Sequence, residues 1–280
     1  MHGIIDFRAR PNTSEYMAMY PSEGSTWAFF GRPKPRPVEL EEFVLGLNDF
    51  EIAKAVFTGR QSVENGLIVR GVTNDYVAAS MRRFSDRLVG FGCVDPRDSG
   101  AVAEVFRSVN ELGLRGISFD PKASGVHADD SGMTAIYRAA VELGVPVVFT
   151  MGPRTGTYGD PMRIDAVARQ FPELRIVCSH GCWPQVNEFV AIAYTHDHVY
   201  LEASLYWHLP GAGAFIEAMH TIIQDRVVYA SAFPFGALSS YVQFQDMIED
   251  RDVEDLVLRQ NALRLLGLDS GVLTAEPVDS

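Results

Sequence analysis

Ile4-Ile5-Asp6-Phe7-Arg8-Ala9-Arg10-Pro11 opens the chain with an apolar run that stops at two arginines and a proline. Read as a first strand, it carries Arg8 and Arg10 at its C-terminal end, where residues two apart leave the same face. The pattern of a short apolar run stopped by polar or turn residues then returns seven times. Ala53–Thr58 stops at Gly59-Arg60, Val89–Val94 at Asp95-Pro96, Leu114–Phe119 at Asp120-Pro121, and Val145–Thr150 just before Gly152. Leu174–Ser179 stops at His180-Gly181, Val199–Ala203 follows, and Val227–Ser231 stops at Ala232-Phe233-Pro234.

Helical stretches fill the intervals. Val38–Leu47 carries glutamates in its first turn, and Thr73–Leu88 is capped by Thr73 or Asn74. Gly100–Leu112 and Met133–Leu143 are each ended by a glycine, and Met162–Gln170, Pro184–Tyr194 and Ala214–Ile223 follow. Tyr241–Ile248 and Val253–Leu266 finish the series. Strands alternating with helices argue for a parallel sheet. Eight such units in 280 residues predict one α/β domain over 1–280, a closed (β/α)8 barrel of the TIM type. The competing open, doubly wound sheet has no glycine-rich phosphate fingerprint after the first strand to support it. Residues 11–37 interrupt the alternation. Pro11, Pro21, Pro33, Pro35 and Pro37 exclude one long helix there. The aromatics Tyr16, Tyr20, Trp27, Phe29 and Phe30 predict a packed lid over the barrel mouth.

Bulk properties bound the function. At 47% apolar and 21% charged residues the chain is an ordinary globular one. A formal net charge of -12 argues against nucleic acid or an anionic membrane as the partner of the whole surface. It leaves room for a local arginine cluster that binds a small anion. Cys93, Cys178 and Cys182 suggest no disulfide framework and point to a reducing cytoplasm. No apolar run approaches the roughly 18–20 residues that span a bilayer, and no basic-then-apolar signal segment opens the chain.

Active sites of such barrels lie at the C-terminal ends of the strands. Arg8, Arg10 and Arg60 would converge there and grip a carboxylate or phosphate through guanidinium forks. Alternatively they pair with Asp6, Asp120 or Glu202 as a structural charge network. His180, at the end of the sixth strand, is the candidate general acid/base, with Glu202 and Asp120 as the accompanying carboxylates. Thr150, Arg154, Trp183 and His208 complete the expected substrate contacts, and Ser204 offers a further hydroxyl. His2, His127, His196, His198 and His220 are expected at the surface. Cys182, two residues after His180, is not expected to be a nucleophile.

The chain resembles the amidohydrolase superfamily, in the branch that includes metal-dependent decarboxylases. The markers are Ile4-Ile5-Asp6, Gly116, Pro146-Val147-Val148, Leu174–Val177 with His180-Gly181, Ser231-Ala232-Phe233-Pro234-Phe235, and Asn261-Ala262 with Arg264–Gly267. The resemblance implies a distorted (β/α)8 barrel and often a homodimer. It also implies a metal held by histidines and an aspartate, and here the sequence departs. The family's His-x-His falls on Arg8-Ala9-Arg10, its strand-five histidine on Thr150 and its strand-eight aspartate on Ala232, leaving His180. One histidine with arginines, a threonine and an alanine does not supply a zinc site, so no metal and no other cofactor is expected. The arginines place positive charge where the family places its metal. The expected function is metal-independent hydrolysis of a small carboxylate-bearing substrate, cyclic or aromatic. Decarboxylation on the same scaffold is one alternative, and a non-catalytic binder of small anions is the other.

Overall fold

The structure, a computed structural model, describes residues 3–18, 25–64, 67–180 and 183–269. His2, Tyr20, Gly181 and Cys182, which figure in the expectations above, lie outside these residues. In chain order the strands are β1 (Ile4–Asp6), β2 (Ile52–Thr58), β3 (Arg60–Glu64), β4 (Leu67–Val72), β5 (Leu88–Cys93), β6 (Ile117–Phe119), β7 (Val147–Phe149), β8 (Ile176–Cys178), β9 (Val199–Ala203) and β10 (Val227–Tyr229). Eight of them pair in parallel in the order β1-β2-β5-β6-β7-β8-β9-β10. The Phe7 amide donates to the Tyr229 carbonyl at 2.9 Å, and Ala9 bridges Phe233 in parallel, which brings the last strand back against the first. This is the (β/α)8 barrel expected from the alternation.

The strands read as continuous apolar runs because both of their faces are covered. Val148, Val177, Tyr200 and Val228 pack inside the ring with Ile5, Phe7 and Phe91. Their neighbours at 147 and 149, 176 and 178, 199 and 201, and 227 and 229 pack outward against helix residues such as Tyr137, Ile164, Phe189 and Phe215. Gly116 is required by this packing. A Cβ there would meet the Phe91 ring at 2.2 Å, and Phe91 in turn packs edge-on against Phe7 at 5.7 Å.

Three expectations are corrected. The helix expected over Thr73–Leu88 spans Asn74–Arg83, because Leu88 already pairs with Ala55 in the barrel. Thr73 is its cap, accepting the Tyr76 amide at 3.1 Å, while the Asn74 amide group bonds both polar groups of the Cys93 backbone. Arg60, expected to end the second strand, instead opens β3, which pairs antiparallel with β4. Finally, β1 stops at Asp6. Its Oδ1 accepts the Arg8 amide at 3.1 Å and the Ser231 amide at 2.9 Å, a side-chain-to-backbone turn that ends the strand. Arg8 and Arg10 therefore reach the mouth from a turn and not by strand alternation.

Within 11–37, helices Ser14–Ala18 and Ser25–Phe29 replace any long helix. Tyr16, Met17 and Trp27 are buried. No helix among the described residues is long and apolar enough to cross a membrane.

Candidate active site

The turn after β1 sends Arg8 across the top of the barrel, almost fully buried at 1% exposure. Its Nη1 donates to Glu202 Oε2 at 3.2 Å and its Nη2 to Thr150 Oγ1 at 3.0 Å. One guanidinium thus ties the ends of β7 and β9 to that of β1. Burial and the neighbouring Arg10 pull the Arg8 pKa down to about 10, so it keeps its charge at neutral pH. Arg10 donates Nε to Thr58 Oγ1 at 2.8 Å, at the end of β2. Among the described residues it has no carboxylate partner. Arg60 forms an ion pair with Asp120, whose other oxygen caps the short helix Pro121–Ser124 by accepting the Ala123 amide at 3.0 Å. Two of the three arginines are therefore paired with the carboxylates that the charge-network alternative named, and all three still line one cavity. Asp6 takes backbone amides and no guanidinium.

His180 follows β8 in a left-handed conformation, φ 70°. Its Nδ1 lies 2.9 Å from Ser204 Oγ, and Ser204 Oγ donates to Glu202 Oε1 at 2.5 Å. A serine hydroxyl has one proton, and here the carboxylate takes it. Ser204 can then only accept from His180, which fixes the proton on Nδ1 and leaves Nε2 with its lone pair. Burial, reinforced by Arg8, Arg10 and Arg60, holds the His180 pKa well below its usual value near 6.5. The imidazole is therefore neutral at pH 7 and carries a base nitrogen.

The cavity at this mouth has a volume of about 380 Å3. Arg8, Arg10, Arg60, Lys122 and Arg154 are its cationic walls, and Asp120 is its carboxylate. Phe30, Tyr206 and Phe235 supply aromatic faces. Thr150 and His180 also line it, while Glu202 lies behind Arg8 and Ser204, fully buried. Trp183 and His208 are elsewhere. They line a neighbouring cavity of about 410 Å3, in which Trp183 stacks on Tyr206. Thr58, Lys122 and Tyr206 carry no mark in the sequence patterns above. Thr58 was findable as the last residue of its strand, and Lys122 as a loop residue two positions beyond Asp120.

Residues 42–268 match the amidohydrolase family model. A solved TIM-barrel protein of Bordetella bronchiseptica, described as uncharacterized, is 29% identical, with 95% of this chain and 98% of that one aligned at a TM-score of 0.82. A 5-carboxyvanillate decarboxylase of Novosphingobium aromaticivorans, complexed with manganese and 4-hydroxy-3-methoxy-5-nitrobenzoic acid, is 18% identical, with 95% and 96% coverage and a TM-score of 0.69. A probable 2-pyrone-4,6-dicarboxylic acid hydrolase of Acinetobacter baumannii, with citric acid bound, is 15% identical, with 96% and 100% coverage and a TM-score of 0.66. The latter two likenesses show the fold. No curated protein matches.

The donors at the mouth decide whether a divalent metal fits there. Among the described residues no three His, Cys, Asp or Glu side chains group to hold one. Arg8 and Arg10 bring protonated guanidiniums to the mouth, which repel a cation, and Thr150 Oγ1 is engaged by Arg8. These residues do not fit the metal that the resemblance implies.

Proposed function

The chain belongs to the amidohydrolase family, and we propose that within it this protein is a metal-independent hydrolase of a small, carboxylate-bearing cyclic or aromatic ester or lactone. The observation that carries the reading is the Nε2 lone pair of a neutral His180, set by the hydrogen bonds through Ser204 to Glu202, in a cavity walled by arginines. Arg10, Arg60, Lys122 and Arg154 hold the substrate carboxylate. Arg10 faces the carbonyl, and its unpaired charge stabilises the oxyanion as it forms. His180 Nε2 removes a proton from water as the oxygen bonds to the carbonyl carbon. The imidazolium passes that proton to the leaving oxygen as the ester C–O bond breaks, and the products are an acid and an alcohol or enol. Phe30 covers part of the mouth with an aromatic face. The reaction needs no metal-bound hydroxide, and the donors at the mouth favour none.

Decarboxylation is the weaker reading for this site. It requires a proton delivered to carbon after carbon dioxide leaves, and the resting His180 has no proton on Nε2 to give. The test is a panel of carboxylated lactones and hydroxybenzoates, beginning with 2-pyrone-4,6-dicarboxylate, assayed with chelator present. Ring opening that His180→Asn slows about 10²- to 10⁴-fold while ligand binding persists is the expected result. Release of carbon dioxide without hydrolysis would transfer the site to the lyases. Ligand binding with no turnover by the wild type would make the protein a binder.

A further inference from the structure

The cavity of about 410 Å3 beside the arginine-lined one differs from it in charge, with His208, Ser231, Ser240 and Gln243 as its polar lining in place of a cluster of arginines. Its walls include Phe29, Phe30, Trp183, Tyr206, Trp207 and Phe235, and Arg32 is its one arginine. Phe30, Leu205, Tyr206 and Phe235 belong to both cavities. Tyr206 links the two. Its ring meets His180, in the first cavity, edge-on at 5.7 Å and stacks on Trp183, in the second, at 5.7 Å. Tyr206 is held by an unusual backbone. The Tyr206 amide donates to the Ser204 carbonyl at 2.6 Å across Leu205, whose φ is 57°, giving a γ-turn of the rare positive-φ kind. Such strain concentrates where a site needs a side chain in one place.

We propose that this second cavity is a subsite for an uncharged aromatic ring or comparable apolar substituent, so that the natural substrate has two parts. An anionic ring sits by His180, and a flat apolar group lies among Trp183, Trp207 and Phe30. The assignment rests on the reading of the first cavity as the anion site. Three features support it. The two cavities share walls, so one molecule can occupy both. Aromatic faces run through both, while the cationic side chains fall from Arg8, Arg10, Arg60, Lys122 and Arg154 in the first to Arg32 in the second, which matches an anionic head joined to an apolar body. Trp183, stacked on Tyr206 at 5.7 Å, gives the space a second flat aromatic face.

The test compares isophthalate with 5-(benzyloxy)isophthalate by titration calorimetry on the full chain and on Ala237→Leu. Ala237 lines the second cavity and not the first, and the added carbons occupy its space. The expected result is a gain of about tenfold to hundredfold from the benzyl ring in the wild type, as burial of a phenyl group would give. In Ala237→Leu the ratio of the two affinities falls to near one. Should that variant not fold, tryptophan fluorescence of the wild type decides. The two-ring probe shifts emission through Trp183 and Trp207, whereas isophthalate does not. A ratio near one in the wild type, a ratio unchanged in Ala237→Leu, or identical fluorescence with both probes would overturn the subsite. Failure of the anion site reads differently, as affinities for both probes that Arg10→Ala leaves unchanged.

Discussion

Ser204 places its hydroxyl 2.9 Å from Nδ1 of His180 while giving its proton to Glu202, so a carboxylate governs an imidazole it does not touch. Ser204→Ala removes the acceptor and frees the His180 tautomer. Turnover is expected to fall about tenfold to a hundredfold, as when the partner that orients a catalytic or ligating histidine is lost, with KM little changed. Ser204→Thr, which keeps a hydroxyl, restores most of it. Nitrogen-15 NMR of the imidazole gives a readout independent of turnover: one Nδ1–H species in the wild type, a tautomer mixture in Ser204→Ala.

The pH dependence of stability has two opposed contributors. His180 is harder to protonate in the folded chain than in the unfolded one, whose imidazole titrates near 6.5. The unfolded chain therefore binds the extra proton as pH falls below about 6.5, and stability is lost in that direction. Burial pushes the Asp6 carboxyl up to about 6 from 3.8, so its contribution is present below 3.8 and lost as pH rises through 6. That shift corresponds to about 3 kcal/mol at most. Urea midpoints between pH 4 and 7.5 check this. Asp6→Asn leaves the His180 slope, with stability rising toward pH 6.5. His180→Asn, a residue that tolerates the left-handed backbone there, leaves the Asp6 slope, with stability falling from pH 4 to 6.

Arg8 and Glu202 form a buried pair, 1% and 0% exposed, at 3.2 Å. Arg8→Met would leave Glu202 charged, buried and held by Ser204 alone, at a cost of about 3–5 kcal/mol. The double variant Arg8→Met with Glu202→Gln recovers a large part of the loss, since glutamine still accepts the Ser204 proton. Denaturant midpoints of the wild type, the two single variants and the double variant measure the coupling. Additive losses would show that the pair contributes nothing as a pair.

The barrel ring was legible because strands covered on both faces must be apolar throughout, as Ile176–Cys178 and Val227–Tyr229 are. The β3–β4 hairpin was not read, although Asn65-Gly66 between two apolar-containing runs is a strong hairpin signal. The end of β1 was only half legible. The Asp6–Arg8 hydrogen bond is local, but the Ser231 amide on the same oxygen comes from the far end of the chain. At the mouth, residue types at strand ends pointed to Arg8, Arg10, Arg60 and His180. The link through Ser204 required register: Cys178 opposite Leu201 is what brings the residues after β8 beside Glu202 and Ser204. Trp183 and His208 line the second cavity, where Trp183 stacks on the Tyr206 ring.

The mismatch between the donors at the mouth and a divalent metal gives a prediction about metal removal. Purified, untagged protein should carry well below one equivalent of zinc, manganese or iron by elemental analysis, and dialysis against chelator should leave its thermal midpoint unchanged. Near one tightly bound equivalent would mean that His180 has ligating partners beyond the described residues, and the arginine-based reading would fail.

Among the described residues Arg10, unlike Arg8 and Arg60, has no carboxylate partner, which leaves its charge for a ligand. Arg8 is matched by Glu202 and Arg60 by Asp120, whereas Arg10 gives Nε to an uncharged hydroxyl and lies close enough to Arg8 to lower its pKa. Removing it should therefore cost the fold little, within about 1 kcal/mol for the one hydrogen bond lost, and relief of repulsion with Arg8 offsets part of that. It should cost anion binding much more. Isophthalate affinity in Arg10→Ala is expected to fall about tenfold to a hundredfold, the range for hydrogen bonds to a charged group. Arg10→Lys would restore charge without the planar fork and recover only part of the loss. Calorimetric titration paired with a urea melt on the same preparations checks both halves. A large stability loss with unchanged anion affinity would make Arg10 a structural residue and remove the oxyanion role assigned to it.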